Sequence, residues 1–74
     1  MKFQDYIESN HTIMLGKPVI KGTRITVELI LKKLSEGASI EQLIDMYPSL
    51  NIEHVNACLA YASDVISNEL ILQE

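Results

Sequence analysis

The stretch "TVELILKKLSEGASIEQLIDMYPSLNIEHVNACLAYA", from Thr26 to Ala62, packs three helix starts and two helix stops into 37 residues. That density of punctuation constrains the fold more than any other feature of the chain. Val27, Ile30, Leu31 and Leu34 recur at i, i+3, i+4 and i+7, the spacing of a one-sided apolar helix. Thr26 is placed to cap its first N–H groups, and Glu28 suits the positive end of its dipole. Gly37 supplies the left-handed residue that ends it. Ser39 and Gln42, three apart, predict a capping box for a second helix with Ile40, Leu43, Ile44 and Tyr47 on one face. Pro48 stops that helix, because proline disfavours a helical residue before it. Asn51 predicts a third N-cap, with Leu50 and Val55 as a hydrophobic staple.

Only Gly37 and Ala38 separate the first two helices, so they must be neighbours at a fixed angle. The third helix has two apolar stripes. Ile52, Val55, Leu59, Ala62 and Ile66 form one; Cys58, Tyr61 and Val65 form the other. A helix apolar over so wide an arc packs on two surfaces, and the second can belong to another chain. The expected fold is mainly α. Residues 26–72 form a three-helix core, and residues 1–25 an extended or short β arm, all in one domain. Within that arm "IML" and "PVI" have strand propensity and flank a Gly16-Lys17 turn. Phe3, Tyr6 and Ile7 could form a helical turn, and "YIES" could equally be a short strand.

At 74 residues such a domain is marginal as a monomer. Yet 47% of it is hydrophobic, more than so small a core readily uses, which points to a homodimer. No apolar run has the length of a membrane span. The lone Cys58 forms no internal disulfide, and "MKFQDYIESN" lacks the apolar core of a signal peptide; both fit a cytoplasmic protein.

Net charge is −4, against general affinity for DNA. The charge is unevenly distributed. Lys17, Lys21 and Arg24 lie in "GKPVIKGTRITV" with no carboxylate among them, whereas no Lys or Arg follows Lys33. The stretch is not a phosphate-binding P-loop, since its lysine precedes the second glycine instead of following it. Gly22 and Thr23 could still turn N–H groups toward an anion. The reading favoured for this stretch is a turn docking extended chain on the core, with Val19, Ile20, Ile25 and Val27 inward and the cations outward. Arg24 could meet a partner, cap a helix or pair with Glu28.

His11, His54 and Cys58 are too few for a closed zinc site. Nothing has the form of a nucleophile elbow or a helical His-Glu metal motif. The chain reads as non-enzymatic, without cofactor, metal or small-molecule substrate. Helices two and three, joined by "PSLN", have the form of a helix-turn-helix. Its reading residues would be Glu53, His54 and Asn56, with His54 and Asn56 the candidate DNA contacts. The acidic Glu53 and the absence of following cations oppose tight binding.

Taken together, G-x-P-x-I-x-G-T-R at Gly16–Arg24, "EGASIEQL" at Glu36–Leu43, "YPSL" at Tyr47–Leu50 and "CLAYA" at Cys58–Ala62 resemble the bacterial domain of unknown function 433 family. The resemblance covers roughly residues 6–66. It implies a homeodomain-type helix-turn-helix unit after a short β element. It also implies an antitoxin encoded beside a PIN-like nuclease, neutralising that toxin by direct binding and autoregulating its operon. PIN-like nucleases cluster carboxylates around a metal, which Lys21 or Arg24 would complement. Two alternatives stand beside this reading: a DNA-binding transcriptional regulator, and a dimeric helical domain with another protein partner.

Overall fold

The computed structural model describes residues 2–72, with side chains through Asn68. It is a mainly helical domain, three helices preceded by a short strand hairpin. The elements run from a single 3-10 turn, Phe3–Asp5, through β1 (Ile7–Glu8), a second turn at Met14–Gly16 and β2 (Val19–Ile20) to α1 (Val27–Ser35), α2 (Ile40–Met46) and α3 (Ile52–Leu72).

The helix punctuation is realised bond by bond. Leu29 N–H donates to Thr26 Oγ1 at 3.0 Å and starts α1. Gly37, at φ +100°, ends it. Its N–H donates to Leu34 O and that of Ala38 to Lys33 O, the paired bonds of a Schellman motif. Gln42 N–H donates to Ser39 Oγ at 3.1 Å, and Ser39 N–H returns to Gln42 Oε1 at 2.8 Å. The two predicted staple residues, Leu50 and Val55, are both buried in the one core cluster.

That core joins all parts of the chain. Val19, Ile30, Leu43, Val55 and Cys58 are wholly buried, with Ile7, Ile20 and Val27 nearly so. Tightly packed contacts of this kind, not intrinsic propensity, hold short helices in place.

The N-terminal part differs from expectation. "IML" is not a strand. Met14 and Leu15 both adopt positive φ, 49° and 58°, and fold into a tight turn. The strand partner of "PVI" is instead "YIES": β1 and β2 are antiparallel, with Ile7 opposite Ile20 and Glu8 opposite Val19. The reason is burial. Ile7 and Ile20 both reach the core, whereas Met14 and Leu15 do not. The far edge of β2 is closed by its own continuation. Ile20 N–H donates to Ile25 O and Val27 N–H to Pro18 O. The first residues do form a single helical turn at Phe3–Asp5, and Phe3 packs edge-to-face on Tyr61 of α3 at 5.4 Å.

The stripes of α3 also sort differently. Val55, Ala57 and Cys58 face the core, while Ile52, Leu59 and Ile66 look outward. A helix apolar on most sides does not reveal its own phase; the surfaces offered by α1 and the N-terminal turn choose it. Among the described residues, no helix is long and apolar enough to cross a membrane.

Candidate partner-binding surface

Two turns carry the basic stretch and hold it against the helices. The first, Ile13 to Lys17, closes with Gly16 N–H donating to Ile13 O and Lys17 N–H to Met14 O. The second, Ile20 to Thr23, is closed by Thr23 N–H donating to Ile20 O at 3.0 Å. Gly22, at φ +78°, occupies the position that requires a left-handed residue. Thr23 Oγ1 also donates to Ile20 O and accepts from Ile25 N–H, locking the exit of that turn.

The two turns are neighbours. Ile13 lines a shallow depression of about 530 Å³ with Glu8, Gly22, Thr23 and Arg24. A second depression, about 200 Å³, brings Met14 together with Lys17, Glu28 and Lys32. The Ile13–Gly16 turn therefore stands between Arg24 on one side and Lys17 with Lys32 on the other.

Lys17, Lys21 and Arg24 are all exposed, as expected of outward charges. They are not equally available. Lys17 Nζ donates to Glu28 Oε1 at 2.9 Å. That hydrogen bond, with the lysine charge, holds the Glu28 carboxyl below its ordinary value. Of the three roles open to Arg24, pairing with Glu28 is taken instead by Lys17, delivered by the turn that ends at Gly16. Among the described residues, no hydrogen bond or ion pair engages the side chains of Lys21 and Arg24. The suggested anion cradle at Gly22 is filled from within, because Gly22 N–H donates to Glu8 Oε2 at 3.2 Å. Pairing β1 with β2 puts that carboxylate there, which the linear spacing did not disclose.

The most exposed apolar side chain on this surface is Leu15, 93% accessible and left-handed. Sequence reasoning missed it by treating "IML" as strand. The available signal was weak: three apolar residues directly before Gly16-Lys17, with no polar alternation.

The two residues considered as DNA contacts are separated by the fold. Asn56 is exposed. His54 is half-buried, packs edge-to-face on Tyr6 at 5.6 Å and caps α3 through Asn51. It has a structural task already. Cys58 is buried, and burial pushes its thiol up to about 11. Among the described residues, no three His, Cys, Asp or Glu side chains are grouped to hold a metal ion.

Comparison with known proteins finds relatives for most of the chain. The profile of a family described as "Protein of unknown function (DUF433)" matches residues 7–62. Uncharacterized protein y4eO of Sinorhizobium fredii (strain NBRC 101917 / NGR234) is 30% identical over 59 residues, 80% of this chain. Those residues span only 27% of that protein. The crystal structure of a DUF433 member protein from Anabaena variabilis ATCC 29413 superposes with a TM-score of 0.81 at 26% identity. It covers 88% of this chain, which in turn spans 64% of that one.

Proposed function

We propose a binding role for this chain, which belongs to the DUF433 family of proteins of unknown function. It is a small non-enzymatic interaction protein that acts as an antitoxin-like partner of a PIN-like nuclease. The contact surface is the Ile13–Gly16 turn with the cations Lys17, Lys21 and Arg24.

The observation that carries this reading is Leu15. A leucine held left-handed costs on the order of 1–2 kcal/mol, and its 93% exposure returns nothing to the core. Strained residues of this kind cluster at binding clamps and other functional sites. The surrounding cations then select for an acidic partner and steer it in. The clustered carboxylates of a metal-dependent nuclease have that chemistry. DNA reading by α3 has less support, since the helix carries no Lys or Arg along its length.

Capture of a neighbouring-gene PIN-like nuclease by the tagged chain tests this. Wild type should retain the nuclease and suppress its cleavage, while Leu15→Gly and Arg24→Glu should each lose at least tenfold in affinity. Equal retention by all three would remove the proposed surface. No nuclease retention, with a salt-dependent shift of the chain's own promoter fragment, would return DNA reading to first place.

A further inference from the structure

We infer that α3 carries a self-association seam on the side away from the core, separate from the Ile13–Gly16 turn. Ile52, Leu59 and Ile66 are seven residues apart, and each is about half exposed, at 50%, 45% and 55%. Asn56 and Ser63 fall between them and are exposed too. At 3.6 residues per turn, these five side chains leave the helix within an arc of roughly 80°. Val55 borders this arc beside Ile66, Ala57 and Cys58 lie well beyond it, and all three are buried. The outward order is apolar, Asn, apolar, Ser, apolar at alternating steps of four and three. That is a heptad seam with Ile52, Leu59 and Ile66 as d positions and Asn56 and Ser63 as a positions.

The occupant that fits is a second copy of the same helix. A seam of period 3.5 presents knobs and holes to a helix with the same period. It carries no charge, so a copy meets no like charge within it, and a basic or acidic partner gains no ion pair there. Glu53 and Asp64 leave the helix beyond the arc. Residues 63–68 are all exposed, leaving that part of the seam open to an approaching copy. A polar Asn at one a position is the device that sets register in a parallel pair, where it meets its own counterpart. The copies therefore lie parallel and in register, with Asn56 against Asn56 of the second copy and the two cores outside. From Ile52 to Ile66 the seam is about 22 Å long and 10 Å wide, a footprint of roughly 220 Å² per copy, below the ~800 Å² of a standard interface. The pair should dissociate on dilution.

Light scattering on the full chain at a series of concentrations tests the seam. Wild type should pass from one chain to two as concentration rises. Leu59→Glu should stay at one chain with an unchanged helical circular-dichroism spectrum, and Leu15→Gly should still pair. Orientation is read by oxidative cross-linking: Asn56→Cys should form an intermolecular disulfide and Asp64→Cys should not. A single-chain mass throughout, pairing by folded Leu59→Glu, or failure of Asn56→Cys to cross-link would each overturn the parallel seam.

Discussion

His54 Nδ1 accepts the backbone N–H of Asn51 at 3.0 Å, and Asn51 Oδ1 accepts the backbone N–H of His54 at 3.1 Å. The pair reproduces the geometry of a capping box with histidine in the place usually held by Glu or Gln. Accepting at Nδ1 leaves the ring proton on Nε2, and the edge-to-face contact with Tyr6 holds the ring there. Replacing Asn51 by Ala should cost about 1 kcal/mol, the ordinary worth of an N-cap. His54→Gln should keep the returning bond and lose only the Tyr6 contact, whereas His54→Ala loses both. Urea unfolding should rank wild type, then His54→Gln, then His54→Ala; equal stability of the last two would show that the returning bond contributes nothing.

Leu15→Gly should stabilise the isolated domain by up to about 1 kcal/mol, since glycine adopts positive φ without a Cβ clash. The unfolded chain gains freedom with the new glycine, which offsets part of that gain. A higher midpoint in thermal unfolding, together with weaker partner capture, is the expected combination. A lower midpoint would mean that Leu15 supports the fold, and its exposure would then need another reading.

Lys17→Met should matter little and only in a defined range of pH. The partner carboxylate of Glu28 is held below its ordinary value of 4.5 in the folded state. A depressed carboxyl contributes stability above its unfolded value and loses it as pH falls through the folded value. The difference in thermal midpoint between wild type and Lys17→Met should thus be present at pH 6, shrink below pH 4.5 and diminish in high salt. A difference that persisted in acid would point to packing of the lysine stem instead.

Cys58 should be silent toward alkylating reagents while the protein is folded. Burial raises its thiol from 9.0 to about 11, and no part of the residue meets solvent. Its contribution to stability is full below pH 9 and is lost as pH rises through about 11, because the unfolded thiol ionises first. Iodoacetamide labelling at pH 8 should follow the rate of unfolding, and labelling in urea should be immediate. Rapid labelling of the native protein would place Cys58 on an accessible path.

Core truncation separates the inward face of α3 from its outward one. Val55→Ala, at a fully buried position, should cost roughly 1–3 kcal/mol, a large fraction of what so small a domain holds. Leu59→Ala, half exposed, should shift dilute-solution stability by under about 1 kcal/mol. Comparable losses at both positions in a dilute sample would invert the assignment of the two faces.

What the sequence determined by itself was local. Thr26, Gly37, Ser39 with Gln42, Pro48 and Asn51 each act on backbone groups within four residues, so the starts of three helices and the stops of two could be read from spacing alone. The exposure of Lys17, Lys21 and Arg24 followed from their charge. What only the tertiary structure decided was every choice among near-equal partners. β1 and β2 pair because Ile7 and Ile20 meet in the core, not because "YIES" is a better strand than "IML". Glu28 binds Lys17 because a left-handed turn at Leu15 and Gly16 carries the lysine to α1. Ile52, Leu59 and Ile66 face outward because α1 and the Phe3 turn cover the other side of α3. A two-residue strand, one ion pair or the phase of a broadly apolar helix has little local preference, so burial of distant residues settles each of them.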